Sequence, residues 1–203
     1  MPDPADLLSA IGRYLERRGN DIPARFIDGL CRPMPRRTLS PRPLPCLAFL
    51  PAAVAAAAGA RHELAACLAA AAGDLAWGQT YTAADFGAAF LDGYGWVELC
   101  GSRGHFANDG IAARFLLLGP RLTYPDHHHV AEEIYVPLTP GTAWRMGDTP
   151  YADRAAGTVI HHRSEVSHAM CTGDVPLLAL YVWRGGPLDQ RSEIGTTATQ
   201  RNG

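Results

Sequence analysis

The spacing of apolar positions changes part-way along this chain. Over residues 4–18, Leu7, Leu8, Ile11 and Leu15 recur at helical intervals with arginines and Glu16 opposite, which predicts an amphipathic helix ending near Gly19. Ile22 to Leu30 reads as a second, shorter helix. Pro33, Pro35, Pro41, Pro43, Pro45 and Pro51 make Cys31–Pro51 an extended connector, because proline lacks the amide hydrogen that a helix or ladder needs. Alanines dominate Ala52–Ala72, with Leu64 and Leu68 at helical spacing, and predict one further helix. From about residue 94 the runs become short and β-branched or aromatic: Trp96–Cys100, Ala113–Leu118, Glu132–Val136, Thr142–Met146, Thr158–Ile160 and Leu177–Trp183. Gly, Pro and Asp turns separate them at even intervals, the pattern of a sandwich or barrel. The predicted organisation is a helical segment at 1–75, a β domain at 76–190 and a polar tail at 191–203.

Composition removes several functions. The net charge of −2 over 203 residues gives no reason to expect a nucleic acid or a membrane surface as partner. All 18 basic residues are arginine, so a lysine Schiff base and a P-loop lysine are both excluded. The five cysteines are odd in number and include no CxxC pair, which indicates neither a zinc ribbon nor a disulfide framework. The first residues are acidic, without a signal-peptide pattern. The longest apolar stretch, Leu47–Ala60, is too short to span a bilayer. A cytoplasmic protein is expected. The N-terminal helices could cover the β domain or pair two subunits, so monomer and homodimer both stand.

Candidate chemistry concentrates in Tyr124–Tyr135, which holds three histidines, three acids and two tyrosines. His127 and His129 are two apart, as are Glu133 and Tyr135, and on extended backbone such pairs share a face. Two imidazoles, a carboxylate and a phenol can therefore converge, with His168 available as a further ligand. That donor set suits one divalent transition metal, with Zn, Fe and Mn all admissible. By parity His128 and Glu132 face away toward solvent, and of His161 and His162 at most one points inward. Glu98 lies on a strand within the domain, either orienting a ligand histidine or placing a charge at the barrel mouth.

His127, His129 and Glu133, followed by Thr139-Pro140-Gly141 and then Gly157 to His168, resemble the two cupin motifs. Arg163 and Glu165 stand where many cupins have Pro and Gly. The resemblance implies a mainly β fold, a cupin jelly-roll β-barrel behind an N-terminal α-helical segment. The stretches Tyr94–Leu99, Tyr124–His129, Ala131–Val136, Val159–His162, Ser167–Met170 and Pro176–Trp183 are more specifically similar to the DddQ-type dimethylsulfoniopropionate (DMSP) lyases. That similarity covers roughly residues 75–187. It implies a β-elimination that splits DMSP into dimethyl sulfide and acrylate. It places metal ligands at His129, Glu133, Tyr135 and His168, substrate groups at His127 and Tyr124, and a pocket aromatic at Trp183. Asp126 and His128 make the segment more polar than the simplest family pattern.

The chemistry gives each residue work. A small zwitterionic or carboxylate substrate needs its carboxylate charge stabilised and a base for the carbon-bound proton. Tyr135 suits the base if its phenol is ionised, with Tyr124 as alternative base or hydrogen-bond donor. His127 fits as metal ligand, by the general cupin pattern, or as substrate group. The sulfonium calls for aromatic faces, and Trp183, Tyr81, Trp96 and Trp144 are candidates. Another cupin enzyme acting on a small carboxylate, a dioxygenase or isomerase, would reveal itself by oxygen use or anaerobic deprotonation. A non-catalytic small-molecule-binding cupin would show binding without turnover.

Overall fold

The structure is a computed structural model that describes residues 3–30 and 32–195. Cys31, at the head of the expected connector, and residues 196–203 of the expected tail lie outside the described residues. Helix α1 spans Pro4–Glu16. Asp3 caps it by accepting from Ala5 N while Asp6 accepts from the Asp3 amide, which satisfies amides the helix leaves free. Its apolar stripe buries Leu7, Ile11, Tyr14 and Leu15. Ile22–Leu30 is not a second helix. After Pro23 a single 3-10 turn forms at Ala24–Phe26, and the segment then continues in turns. The alanine-rich stretch is likewise two helices, α2 (Leu50–Ala56) and α3 (Ala60–Ala71). They are separated where Gly59 takes φ +55°, a left-handed conformation that stops a helix and that glycine adopts at least cost. Short helices α4 (Ala83–Phe86) and α5 (Ala88–Gly93) precede the main strands.

Among the described residues twelve strands occur, in chain order: β1 Trp77–Gly78, β2 Tyr94–Gly101, β3 Phe106–Ala107, β4 Ile111–Leu118, β5 Thr123–His128, β6 Glu132–Pro137, β7 Thr142–Met146, β8 Ala152–Arg154, β9 Ile160–His162, β10 His168–Thr172, β11 Leu177–Arg184 and β12 Glu193–Ile194. They form two sheets, one ordered β1-β2-β4-β11-β6-β9 with β3 beside β2, the other β12-β5-β10-β7-β8. The two sheets close into a jelly-roll barrel, as the resemblance to cupins implies. The central strands β4 and β11 pair along their full length, from Leu177 opposite Leu118 to Arg184 opposite Ile111. Their outer faces (Phe115, Leu117, Leu178, Leu180, Val182) pack under α1, α2 and α3. Their inner faces (Ala112, Leu116, Ala179, Tyr181, Trp183) fill the barrel. Both faces are buried, so these strands read as continuous apolar runs rather than alternating ones. Among the described residues, no helix is long and apolar enough to cross a membrane.

Glu132, expected on a solvated face, instead ties the N-terminal segment to the barrel. It accepts from Arg25 on the 3-10 turn (Nε, 3.2 Å), Arg184 (Nη1, 2.8 Å) and His161 (Nε2, 2.8 Å). The hydrogen bonds from Arg25, and then those from Arg184 and His161, hold its carboxyl down at about 2. A depressed carboxylate value stabilises the fold above the ordinary glutamate range near ~4.3, and that contribution is lost as pH falls through the folded value. Comparing melting temperatures from pH 6 to 2, we expect Glu132→Gln to melt lower than the parent above about pH 5. The gap should close toward pH 2; a gap independent of pH would refute the linkage.

Candidate active site

Strand pairing assembles the site. Glu133 on β6 stands opposite Trp183 on β11 and His162 on β9. One row along, Tyr135 stands opposite Tyr181 and Ile160. On the other sheet, His168 of β10 stands opposite His127 of β5. His129 follows β5 directly, at the turn into β6.

His129, Glu133 and His168 converge, each offering a donor atom within 4.8 Å of the others. Glu133 Oε2 lies 3.1 Å from His129 Nε2, 3.2 Å from His168 Nε2 and 3.4 Å from His162 Nδ1. Glu133 Oε1 accepts from the Trp183 indole at 2.7 Å. The Nδ1 atoms of His129 and His168 sit 2.9 and 3.0 Å from the carbonyls of Ala131 and Val166. A carbonyl at Nδ1 fixes each ring and points Nε2 inward, as metal-binding imidazoles are usually held. The buried Nε2 atoms of His168 and His162 have no hydrogen-bond partner among the described residues. Two oriented imidazoles, a carboxylate and orphaned buried nitrogens fit a first-row divalent ion.

Electrostatics agree. Burial by itself would raise the Glu133 carboxyl, but the charge of His129 and the close approach of the His129, His162 and His168 rings outweigh it and hold the group well below its ordinary range. Burial, reinforced by the neighbouring His168, drives His127 well below the imidazole range and brings His162 down to about 4. Burial also pushes Tyr135 well up, with the Glu133 charge adding to it, and pushes Tyr124 up beside Tyr94 and Tyr81.

A small interior cavity adjoins this group, lined among others by Tyr94, Arg114, Tyr124, His127, Tyr135 and Trp183. Its free volume is about 20 Å³, room for roughly one water. The Tyr124 ring stacks on His127 at 4.1 Å, and its hydroxyl lies 3.1 Å from that of Tyr81. His127 packs edge-on to His168, 4.1 Å between centroids, but is not one of the three converging donors. Trp183 lies against His129 (4.0 Å) and under the Arg114 guanidinium (4.3 Å). Tyr81 and Trp144 are buried, while Trp96 lines the cavity.

Two site residues escaped the sequence reading. His162 turns inward, stacked 3.9 Å from His168, while His161 turns out. Arg114 is buried and paired with Glu98 at 2.7 Å, so Glu98 orients no histidine. Arg114 was detectable as the lone charge in the run Ala113–Leu118; the parity of His162 depended on a strand register that the residues alone did not fix. The indole contact makes its own prediction. Trp183→Phe keeps the bulk but loses the N–H on Glu133, and should weaken divalent-ion affinity about 10- to 100-fold. Titration calorimetry with Zn would read this, and an unchanged affinity would count against the contact.

The family described as dimethylsulfoniopropionate lyase matches this chain over residues 19–179. The chain belongs to the DMSP lyase family. It is 38% identical over 109 residues to dimethylsulfoniopropionate lyase DddQ of Ruegeria pomeroyi, covering 54% of each sequence. It is 33% identical over 129 residues to a putative dimethylsulfoniopropionate lyase DddL of Cereibacter sphaeroides, covering 63% of this chain and 53% of that one. The chain thus spans about half the length of the curated relatives it matches. The match to a crystal structure of DddQ from R. pomeroyi covers 97% of this chain and 98% of that one, with a TM-score of 0.83 at 28% identity. A crystal structure reported for the DMSP lyases RdDddP and RnDddQII matches with a TM-score of 0.80 at 26% identity, over 95% and 97% of the two chains. The mainly β fold behind an N-terminal helical segment expected from the sequence is the fold these DMSP lyase structures share.

Proposed function

We propose that this chain is a metal-dependent carbon–sulfur lyase that cleaves DMSP to dimethyl sulfide and acrylate by β-elimination. The observation that carries this reading is the convergence of His129, Glu133 and His168 beside a cavity lined by Tyr124 and Tyr135, in a chain of the DMSP lyase family. His129, Glu133 and His168 would hold the ion, with Tyr135 or His127 completing the set. When bound, a divalent ion supplies Lewis acidity that stabilises negative charge on a substrate carboxylate and on a nearby phenolate.

The protein's groups do the rest. Tyr135 takes the proton from the carbon beside the carboxylate. The freed electron pair forms the carbon–carbon double bond, the carbon–sulfur bond breaks, and sulfur leaves with its electrons as neutral dimethyl sulfide. The proton stays on the Tyr135 oxygen and acrylate remains. Tyr124, held by Tyr81, donates to the substrate carboxylate, and His127 at its back face keeps that phenol in place. The aromatic rings of the cavity, Trp183 among them, receive the sulfonium by cation–π attraction. Trp183 also steadies Glu133.

The test is headspace dimethyl sulfide and soluble acrylate from DMSP, using protein reconstituted with Zn, Fe or Mn beside a chelated control. Metal-dependent release in equal amounts of the two products is expected. No release with any of the three ions would overturn the reading and direct attention to other small carboxylates.

A further inference from the structure

We propose that Arg114 is a positioning residue that ties closure of the 185–195 segment to the indole holding Glu133; this rests on the reading of the cavity as the active site. Gln190 and Ser192 line the cavity, so this segment forms part of its wall. The cavity as it stands has room for about one water, and a carboxylate substrate would be admitted by this wall giving way. The segment is built to do so. It leaves β11 through Gly185 and Gly186, at φ +63° and +146°, values that glycine adopts freely and other residues resist.

Beyond that hinge, the segment is held at its edge by short-range links. Val130 N donates to Gln190 Oε1 at 2.9 Å, Gly195 N donates to Asp126 O at 2.7 Å, and Arg191 pairs with Asp85 at 2.9 Å. The strand β12 adds two residues beside His127 and His128 of β5. Leu188 packs into the apolar core of the barrel, while the other links are polar and lie at the rim, the pattern of a unit that opens locally about one anchor.

Leu188 is also held inward through its main chain. The buried Leu188 carbonyl accepts from Arg114 Nη2. The same guanidinium bonds Glu98 Oε2 through Nε at 2.7 Å, with Nη2 at 2.6 Å from that oxygen, and covers the Trp183 ring at 4.3 Å. Trp183 in turn donates to Glu133 Oε1 at 2.7 Å. A planar fork fixed on Glu98 has few orientations, so the geometry that meets Leu188 O is the one that presses on the indole. Closing the segment and steadying Glu133 are therefore one arrangement of one side chain.

Arg114→Lys separates positioning from a structural role, because lysine still neutralises Glu98 but cannot fork. In metal-loaded protein without substrate, the Val130 and Gly195 amides should exchange with deuterium about tenfold faster than in the parent, while β4 and β11 amides stay as slow. With DMSP, kcat should fall about tenfold at an unchanged melting temperature. Parental exchange at Val130 and Gly195, or acceleration shared equally with β4 and β11, would overturn the proposal. Should Arg114→Lys not fold, the double variant Glu98→Gln with Arg114→Met removes both charges and is read by the same criteria. The exchange experiment needs no turnover, so a parent protein inactive on DMSP would remove the activity reading while the amide rates still decide the coupling.

Discussion

His129→Ala is expected to strip the bound divalent ion and to cut dimethyl sulfide release by about 10³-fold or more, in line with the loss of a principal charge-stabilising group. The expectation follows from how few donors the site has. Among the described residues His129, Glu133 and His168 are the converging groups, and His129 is oriented for the role by the Ala131 carbonyl. Its removal also leaves Glu133, buried with no solvent-exposed surface, without the neighbour that does most to keep it ionised. A buried carboxylate that loses its partner is costly, so some loss of fold stability should accompany the loss of metal. Metal content by mass spectrometry, set beside melting temperature, separates the two effects. A folded, fully loaded and active His129→Ala would end the assignment of this residue as a ligand.

Tyr135→Phe is expected to behave in the opposite sense. It should keep the ion far better than His129→Ala does and remain folded, because the ring stacks on Tyr181 at 5.1 Å and lies against Trp144. Turnover should nevertheless drop about 10²- to 10⁴-fold, the usual range for a general base. The pH dependence has a definite sign. Burial and the Glu133 charge push the Tyr135 phenol upward, so without an ion the base is protonated at neutral pH. In the mechanism proposed above the reactive form is the phenolate, and kcat is therefore expected to rise with pH until that ionisation is complete. The phenylalanine variant should lose this ascending limb. Parental activity in Tyr135→Phe would move the base to Tyr124, whose hydroxyl lies at the same cavity.

Much of this was legible in the residues, for identifiable reasons. Glu133 and Tyr135 sit two apart on β6, an offset that survives any error in strand ends, whereas His129 lies just past the end of β5 and His127 is not among the converging donors. The strands from Glu132 and Leu177 were readable because each is apolar enough to announce itself. β10 was not anticipated. It begins at His168 and contains Cys171 and Thr172, and it is a strand because β5 and β7 flank it. β9 lies two residues beyond its expected start, over Ile160–His162, set by pairing with Glu133–Tyr135. The helix break at Gly59 was hidden because the alanines on both sides favour helix. Arg114 was passed over because a lone arginine in an apolar run cannot be assigned inward or outward until its partner strand is known.

The double covering of β4 and β11 bears on how this sequence can change over time. Every residue of β4 is buried, as are all but the last of β11, whereas the edge-side strand β7 alternates. A substitution survey should therefore find no every-other-residue tolerance along Ile111–Leu118 or Leu177–Trp183. Drift in family members would be confined there to exchanges of similar volume. Arg114 is the one charged position within that intolerant block, and its charge is matched from the adjoining strand by Glu98.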